Sequence, residues 1–316
     1  VVAVYSRTLA KAQERAQRYG VPRAYDDYRA MIDECRPDGV IIATTPNAHY
    51  EQARYALERG IHVLMEKPFV LNAEQAVELQ SLAESRGLML SVCYPHCFHP
   101  WMVQGREFVR GGSLGQVLLV TRVFAQRVID LYRGDVSAML GGGNYAVPNA
   151  SSYADPGIVG GGEGHTQATH TIGEMLWVLG LKPVEVYAQM NTLDLELDVV
   201  DSIMVRFESG AQATVSANGL MPPGMYLAYF QVMGDKGVWN LDSLCLASHV
   251  WKQGERPQAL EDPGRVDTRA MVPRNFSRAI LGEERLWVET EVAVNTVKIL
   301  DAAYRSAASG QAVPIG

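Results

Sequence analysis

The sequence predicts an α/β fold in which a doubly wound parallel sheet is followed by an α+β domain with a mostly antiparallel open sheet. Up to about residue 98, short apolar runs alternate with amphipathic segments, which is typical of parallel strands joined by helices. From residue 183 onward, apolar residues instead alternate with polar ones along long stretches. Polar turns at 209–210 and 234–237 separate these stretches and indicate hairpins. We therefore predict two domains, residues 1–98 and residues 99–316.

The predicted elements of the first domain follow from apolar runs and their flanking turn residues. Its strands are predicted at residues 1–5, 40–44, 61–65 and 88–92. The segment 8–20 is a predicted helix that ends at Gly20, since glycine readily adopts the left-handed conformation found there. Asn72 followed by Gln75 resembles a capping box and predicts the start of another helix. The order of elements is therefore strand, helix, strand, as a parallel sheet requires.

The predicted second domain opens with a helix and a long strand and then becomes irregular. Its helices are predicted at 101–110, 171–180, 274–281 and 289–309, and its first strand at 116–127. The segment 128–156 is rich in Gly, Asn and Ser and is predicted to be a long loop. Loops of this length are usually functional or mobile, so a lid over the substrate and plain disorder are both consistent with it.

Composition excludes several classes of protein. A chain of 316 residues with 47% hydrophobic and 20% charged residues is ordinary for a globular protein. A formal charge of -7 and the lack of a Lys/Arg cluster argue against a nucleic-acid partner. No run is apolar and long enough to cross a membrane, so we predict a cytoplasmic protein. The four cysteines form no C-x-x-C pair, and His96 and His99 beside Cys97 match no zinc spacing, so no metal site is predicted.

Two polar clusters follow neighbouring predicted strands. These clusters are Thr45-Pro46-Asn47 and Glu66-Lys67-Pro68. Ligands of open α/β sheets collect beyond the carboxyl ends of the parallel strands, so both clusters should share one crevice. A lysine placed directly after an apolar strand is partly desolvated, which lowers its pKa toward the range useful for proton transfer. On its own, however, such a lysine is more often an exposed residue at a strand end.

The order of these motifs resembles one known family. The elements follow in the order strand, Thr-Pro-Asn-x-His, helix, strand, Glu-Lys-Pro and capped helix. This order is similar to that of the glucose-fructose oxidoreductase, inositol dehydrogenase and MocA family of nicotinamide-dependent enzymes. The similarity runs from residue 1 to 316 and is weaker around 125–155 and 243–273. It implies a Rossmann-type dinucleotide-binding first domain, Lys67 as the catalytic acid/base, and contacts of Glu66 and Asn47 with the nicotinamide ribose. The cofactor-binding residues are predicted to be Ser6, Arg7, Thr45, Pro46, Asn47, His49, Glu66 and Lys67.

The start of the chain departs from the family pattern. A Gly-rich G-x-G-x-x-G turn normally precedes the strand at residues 1–5, so we expect roughly thirty further residues N-terminal to Val1. Ser6-Arg7 occupies the place of the acidic residue that binds the ribose of NAD. A hydroxyl and a guanidinium suit a 2′-phosphate, which favours NADP over NAD. Alternatively, Ser6 caps the following helix and Arg7 is solvated.

A glycine-rich segment supplies the second catalytic candidate. The segment 160–170, GGGEGHTQATH, resembles the family's triple glycine followed by residues that point into the active site. His170 falls on the family's histidine position, whereas Thr166 stands at the aspartate position and Gly173 at a second acidic one. Thr166, His170 and Gly173 are spaced to share one face of a helix. Since threonine cannot ionise, Lys67 and His170 are predicted to carry the proton transfer.

The remaining substrate candidates lie beside this segment or between the predicted domains. They are Tyr94, His96, His165, Thr166 and Gln167. Small ligands usually sit between domains, and Tyr94 and His96 belong to the predicted hinge. Each of these two residues is about as well explained by a structural role.

The predicted activity is hydride transfer between NADP or NAD and a secondary alcohol or ketone of a sugar or cyclitol. A redox-neutral glycosidase, which oxidises a sugar, eliminates the aglycone and reduces the sugar again, is one alternative. A non-catalytic sensor that binds nucleotide or sugar is another. The open face of an antiparallel sheet often makes a dimer, so we expect a homodimer or homotetramer.

Overall fold

A computed structural model describes residues 1–137, 151–242, 247–264 and 266–316, and its first part is a parallel α/β layer. The strands of this layer are β1 (Val4–Tyr5), β2 (Ala24–Tyr25), β3 (Gly39–Ile42), β4 (His62–Met65) and β5 (Leu90–Val92). The helices are α1 (Leu9–Tyr19), α2 (Tyr28–Cys35), α3 (Pro46–Glu58) and α4 (Ala73–Ser85). β1 and β2 form one parallel pair, and β3, β4 and β5 form a separate three-stranded parallel sheet. The predicted Rossmann-type layer is confirmed.

The ends of these helices follow the predicted chemistry with one exception. Gly20 ends α1 with φ of 65°, and the side chain of Asn72 accepts a hydrogen bond from the amide of Gln75 at 3.0 Å. The N-cap of α1 is Thr8 rather than Ser6. The alternative role for Ser6 as a helix cap is therefore wrong, because the helix begins later than expected.

The second part is a nine-stranded sheet. Its strands are β6 (Val117–Gln126), β7 (Pro183–Asn191), β8 (Val200–Phe207), β9 (Gln212–Asn218), β10 (Tyr226–Gly234), β11 (Gly237–Asp242), β12 (Ala247–Lys252), β13 (Gln258–Ala259) and β14 (Val313–Pro314). The spatial order of the described strands is β13-β12-β11-β10-β6-β9-β8-β7-β14, and among them only β6 and β9 pair in parallel. The mostly antiparallel open sheet is thus confirmed.

The helices of this part are α5 (Pro100–Arg110), α6 (Ile129–Tyr132), α7 (Ser151–Ala154), α8 (Pro156–Val159), α9 (Thr169–Leu179), α10 (Thr268–Ile280) and α11 (Thr290–Ser309), and a 3-10 turn at Pro95–Phe98 precedes them. Helices α5, α9 and α11 pack on strands of the large sheet, whereas α10 packs on β3 and β4. β8 alternates between buried residues such as Ile203 and exposed residues such as Met204. Its inner side chains therefore face helices, and its outer side chains face away from the core.

Two predicted boundaries in this part are wrong. The segment 128–156 is not a continuous loop, because Ile129 and Tyr132 of α6 are buried in a small apolar cluster with Val199. The predicted lid falls partly on residues 138–150, which lie outside the described residues. α10 begins at Thr268 rather than at 274. Pro273 is accommodated inside α10, while Asp267 accepts a hydrogen bond from the amide of Ala270 at the helix start.

The last helix ties the two parts together. α11 packs on both α4 and β7, and the hydroxyl of Thr290 donates a hydrogen bond to the carbonyl of Leu90 in β5. One apolar core runs through both parts. The division between residues 98 and 99 stays a prediction, because packing alone does not separate the two parts there. Within the described ranges, no helix combines the length and the apolar character needed to cross a bilayer.

Candidate active site

A crevice of about 580 Å³ opens where β4 and β5 end, between them and the inner face of the large sheet. Its polar lining includes Glu66, Lys67, His96, Gln167 and His170. The predicted catalytic pair therefore lies in one cavity, although these two residues are about a hundred positions apart. Of the other predicted site residues, some line this cavity and others do not.

Lys67 is held at the end of β4 by a main-chain acceptor. Its Nζ donates a hydrogen bond of 2.7 Å to the carbonyl oxygen of Thr166. Burial lowers the pKa of Lys67, and the negative charges of Glu66 and Glu163 oppose this shift. The ammonium is thus fixed in direction and costs less to deprotonate than a lysine in water.

The residues after β3 form the start of α3. Thr45 is the N-cap without a side-chain hydrogen bond, Pro46 is the first helical residue, and Asn47 is exposed. Glu66 follows the neighbouring β4, and its side chain accepts a hydrogen bond of 3.2 Å from the amide of Lys67. The two clusters stand at adjacent strand ends, and Glu66 and Lys67 line the crevice, whereas Thr45, Pro46 and Asn47 are not among its described lining residues. That both clusters share one crevice stays a prediction.

His49 does not face this crevice. Its side chain is completely buried, and Nδ1 lies 2.9 Å from the carbonyl oxygen of Pro68 while Nε2 lies 3.2 Å from that of Thr44. Burial lowers the pKa of His49, so the ring is neutral and donates only one of these bonds. The structure does not place His49 where the predicted cofactor contact requires it, because its ring is buried between the main-chain carbonyls of Pro68 and Thr44.

Ser6 and Arg7 follow β1, in the other piece of the parallel sheet. The amide of Ser6 donates to the carbonyl of Tyr25 at 3.1 Å, and the side chain of Arg7 is exposed. Neither residue lines the crevice of Lys67. Their predicted contact with the adenosine end of a cofactor stays a prediction.

Thr166 presents its carbonyl to the site and its hydroxyl to the interior. Residues Gly164–Ala168 form a π-helical turn, so Thr166 and His170 do not share one face of a regular helix as predicted. The hydroxyl of Thr166 lies 2.8 Å from the carbonyl oxygen of Gly162 and also contacts the hydroxyl of Tyr132. The expected substrate contact of the Thr166 side chain is therefore wrong.

Behind Thr166 lies a buried acid that the sequence analysis missed. The hydroxyl of Tyr132 lies 3.2 Å from Oε2 of Glu163, and Oε1 of Glu163 has no hydrogen-bond partner among the described residues. Burial raises the pKa of Glu163 to about 8. A neutral Glu163 donates to Tyr132, which donates to Thr166. An ionised Glu163 instead accepts from Tyr132, which reverses the row of hydroxyl protons.

The triple glycine serves internal packing rather than close approach to a ligand. A Cβ added to Gly162 would lie 2.0 Å from the carbonyl oxygen of Asp198. The carboxylate of Asp198 accepts hydrogen bonds of 2.7 Å from the amides of both Gly162 and Gly164, and one of 2.8 Å from the hydroxyl of Tyr304. Glycine at 162 is therefore required by the neighbouring main chain.

His165 is directed away from the crevice as well. It is buried, its Nδ1 lies 3.1 Å from the carbonyl oxygen of Val159, and its ring packs edge-on against Tyr304 at 5.2 Å between centroids. Burial lowers the pKa of His165, which is consistent with a neutral structural histidine. The prediction that His165 contacts substrate is wrong, since the π-helical turn rotates it inward.

His170 is the one residue of α9 that is partly exposed, and the other ten are buried. Its Nδ1 has no hydrogen-bond partner among the described residues. Burial of the ring, together with the positive charge of Lys67, lowers the pKa of His170 well below its ordinary value. His170 therefore lines the crevice as a neutral imidazole, while its Nδ1 is buried.

Tyr94 lies beneath His170 and not in the crevice. Its side chain is completely buried and packs edge-on against His170, with 6.1 Å between ring centroids. A Cβ on Gly173 would approach a ring carbon of Tyr94 to 2.3 Å, which explains why an acidic residue is absent there. Burial raises the pKa of Tyr94 to about 12. The structure therefore places Tyr94 under His170 and outside the crevice lining, where it does not support the predicted substrate contact.

His96 belongs to a charged group that sequence reasoning did not find. Its Nδ1 lies 2.8 Å from Oε1 of Glu174, whose other oxygen is bound by Arg122. The charge of Glu174 raises the pKa of His96. Burial by itself would raise the pKa of Glu174, but attraction to His96 and Arg122 lowers it below the ordinary value. An acidic residue on an otherwise apolar helix such as α9 was the available signal.

Gln167 is the last predicted substrate residue and does line the crevice. Its side-chain oxygen accepts a hydrogen bond of 2.9 Å from the side-chain amide nitrogen of Gln126 in β6. This contact orients the side chain of Gln167 toward the space in front of His170. Of the five predicted substrate residues, His96 and Gln167 are thus the two that face the cavity.

The crevice also has the features that a nicotinamide dinucleotide needs. Ile41 is 53% exposed, and it forms an apolar wall together with Leu64. Apolar walls with a few fixed polar groups are typical of cofactor sites. Glu66 offers a carboxylate to ribose hydroxyls, and the N-terminus of α3 has the positive end of the helix dipole. The residues present therefore fit the nicotinamide end of such a cofactor.

Comparisons with known proteins agree with this description. The oxidoreductase family with an NAD-binding Rossmann fold, GFO_IDH_MocA, matches residues 1–94, and the GFO/IDH/MocA C-terminal domain matches residues 102–240. D-xylose 1-dehydrogenase (NADP(+)) 2 of Haloferax volcanii is 28% identical over 99% of this chain and 91% of the relative. D-glucoside 3-dehydrogenase of Escherichia coli is 30% identical over 58% of this chain and 48% of the relative.

Solved structures show the same fold. Levoglucosan dehydrogenase in complex with NADH and levoglucosan superposes with a TM-score of 0.85, covering 100% of this chain and 90% of that structure. An NAD-binding oxidoreductase from Klebsiella pneumoniae gives a TM-score of 0.86 with the same coverage. Both are 19% identical to this chain, so the likeness concerns the fold.

Proposed function

The chain belongs to the GFO/IDH/MocA family of NAD(P)-dependent oxidoreductases, and from this premise we propose that it oxidises a secondary alcohol of a sugar. The observation that carries the proposal is the crevice shared by Lys67 and His170. A sugar is favoured because two relatives are named for sugar substrates, D-xylose and a D-glucoside. Those relatives are dehydrogenases, which favours an enzyme over a sensor that binds without catalysis.

Lys67 is proposed as the acid/base. When bound, the nicotinamide cofactor supplies the hydride acceptor for oxidation and the hydride donor for reduction. In oxidation, the neutral amine of Lys67 takes the proton of the sugar hydroxyl, and burial favours this neutral form. The carbonyl of Thr166 then accepts a hydrogen bond from the resulting ammonium. Reduction runs the same proton transfer backward.

His170 is proposed to position the reacting oxygen or a neighbouring hydroxyl. Its ring lines the crevice, and its pKa is lowered, so it offers a neutral hydrogen-bonding group at neutral pH. Gln167, fixed by Gln126, offers a second group for sugar hydroxyls. Holding the substrate in one orientation against Lys67 supplies a large share of the rate.

The proposed activity is tested by mixing the protein with NADP+ or NAD+ and a panel of aldoses, cyclitols and methyl glycosides. Reduced cofactor, detected by its absorbance, is the expected product for at least one sugar. We propose NADP as the preferred cofactor, because Arg7 follows β1 and is exposed. An Arg7→Ala variant should then lose affinity for NADP and not for NAD. If no sugar or cyclitol is oxidised with either cofactor, the proposal is wrong.

A second assay, with a nitrophenyl glycoside as substrate, distinguishes the redox-neutral glycosidase from the dehydrogenase. That reaction releases nitrophenol from a nitrophenyl glycoside without net change in cofactor absorbance. A dehydrogenase instead reduces one cofactor for each sugar oxidised.

Glu163→Gln is expected to shift the pH dependence of sugar oxidation. Above its own pKa of about 8, Glu163 is ionised and its charge raises the pKa of Lys67, so the Gln substitution lowers the pKa of Lys67 in that range. The acidic limb of kcat/KM reports the ionisation of Lys67 and should move to lower pH. The other ionisable groups around Glu163 are Tyr132, Asp198 and Asp201, and Gln preserves the contact with Tyr132.

The control for this shift is Glu185→Gln, an exposed carboxylate paired with Arg206 on the outer face. It should leave the pH profile unchanged. A merely structural role of Glu163 would lower kcat/KM equally at every pH. An unmoved acidic limb in Glu163→Gln would therefore remove Glu163 from the proposed mechanism.

We also propose a homo-oligomer that forms through the outer face of the nine-stranded sheet. Leu119 of β6 and Met204 of β8 are both exposed there. Light scattering of Met204→Arg against the unmodified protein tests this proposal. A cytoplasmic location is proposed as well, because Cys35, Cys93 and Cys97 have free thiols, as is usual in reducing compartments.

A further inference from the structure

A second, smaller pocket of about 190 Å³ adjoins the crevice at His170. It lies between α5, α9 and the inner face of β6 and β10. Residues that line this pocket and not the crevice include Trp101, Met102, Thr171, Ala228 and Leu241. His96, His170, Phe124 and Tyr226 border both spaces, so a ligand in the crevice can extend into this pocket.

The size and walls of the pocket suit one apolar ring. Trp101 is 6% exposed, and its indole nitrogen already donates to the carbonyl of Glu261 at 2.8 Å, so its ring serves as a wall. Phe124 packs edge-on against Tyr226 with 5.6 Å between ring centroids. An apolar cavity of about 150 Å³ binds benzene, so a pocket of this size accepts a six-membered ring with a small substituent.

Two residues that line the pocket each have a buried polar atom without a hydrogen-bond partner among the described residues. Oγ1 of Thr171 and Nδ1 of His99 have no hydrogen-bond partner in the described parts of the chain, and Thr171 is completely buried. Buried polar atoms are nearly always paired in folded proteins, so unpaired ones mark a place for a ligand group. Burial lowers the pKa of His99, which makes it a neutral donor or acceptor.

We propose that this pocket binds the aglycone of a phenolic glycoside whose sugar is oxidised in the crevice. The inference rests on the proposed sugar dehydrogenase function and specifies its substrate class. The aromatic ring would pack between Trp101 and Phe124, and a ring hydroxyl would pair with Thr171 or His99. The glycosidic oxygen would pass beside His170, where the two spaces meet.

A second sugar ring fits this pocket less well. A pyranose has hydroxyl groups around most of its ring, and each one needs a partner when it is buried. Arg122 and Glu174 also border the pocket, but they are already paired with each other and with His96. The two free polar atoms match a ring with one or two hydroxyls.

The experiment compares three glycosides of whichever sugar the enzyme oxidises: methyl, 4-hydroxyphenyl and glucosyl. Reduced cofactor is measured, and kcat/KM is expected to be about tenfold or more higher for the 4-hydroxyphenyl glycoside than for the methyl glycoside, from burial of the ring. Equal values for these two substrates would overturn the proposal. A preference for the disaccharide would also overturn it.

Ala228→Phe fills the pocket and is the decisive variant. It should abolish the preference for the 4-hydroxyphenyl glycoside while the methyl glycoside is still oxidised, which shows that the protein is folded. Ala308→Phe, the same substitution at an exposed position near the end of α11, serves as the matched control. Thr171→Val should lower kcat/KM for the 4-hydroxyphenyl glycoside and not for the phenyl glycoside.

Binding without turnover separates this inference from the proposed function. Calorimetric titration with hydroquinone, the free aglycone, should show binding that Ala228→Phe removes and Ala308→Phe retains. If no sugar is oxidised but hydroquinone binds in this way, the dehydrogenase proposal fails and the ring pocket stands. If sugars are oxidised but hydroquinone binding does not respond to Ala228→Phe, the pocket assignment is wrong.

Discussion

Lys67→Met is expected to lower kcat/KM for sugar oxidation by roughly 10²- to 10⁴-fold, the usual contribution of a general acid/base. Methionine has a similar volume and no ionisable group, so the fold should survive while the proton acceptor is lost. The bond from Nζ to the carbonyl of Thr166 is also lost. That loss costs about 1 kcal/mol, which removing a buried charge partly offsets. Initial rates and far-UV circular dichroism are the measurements.

The matched control is Lys182→Met, a lysine at the surface whose Nζ is 3.5 Å from Glu208. It should retain nearly full activity, because an exposed ion pair contributes little. Binding of the cofactor to Lys67→Met, measured by nicotinamide fluorescence, should stay close to that of the unmodified protein. Near-normal turnover in Lys67→Met would refute the assignment of the acid/base.

Asp201→Asn is expected to stabilise the protein at pH 8 and to have little effect near pH 4. Asp201 in β8 is 1% exposed, and neither carboxylate oxygen has a hydrogen-bond partner among the described residues. Burial, together with the charge of Asp198, raises the pKa of Asp201 to about 10. The folded protein therefore keeps a proton that the unfolded chain releases at about pH 4.

The sign of the effect follows from this difference in proton binding. As pH rises from about 4 to about 10, release of the proton stabilises the unfolded state but not the folded state. The free energy of unfolding therefore falls. Asparagine is neutral at every pH, so the Asp201→Asn variant does not show this fall in the free energy of unfolding. We expect a gain of at least about 2 kcal/mol at pH 8, or roughly 4 to 8 °C in Tm.

Thermal unfolding of both proteins at pH 5 and pH 8 tests this expectation. Asp194→Asn is the control, since Asp194 is 68% exposed and pairs with Arg133 at the surface. It should change Tm little at either pH. An Asp201→Asn gain that is equal at both pH values, or a loss at pH 8, would mean that Asp201 is ionised and paired in the folded protein.

Local patterns in the sequence determined the layered fold and the central residues of the site. The alternation of apolar runs and helices predicts the parallel layer, and the two-residue period predicts the β7–β8–β9 part of the large sheet. Lys67 and Glu66 follow a strand whose position can be read from its apolar run. These features depend on residues close together in the chain, which is why one sequence suffices to predict them.

Tertiary structure alone decided which way each side chain points. His49, His165 and Tyr94 look like site residues in the sequence, but long-range packing buries all three. The contact from Lys67 to Thr166 joins residues 99 apart, and that from His96 to Glu174 joins residues 78 apart. Burial and hydrogen bonding at such separations depend on the whole chain being folded. The buried acid behind Lys67 and the ring pocket beside His170 therefore have no signature in any single stretch of sequence.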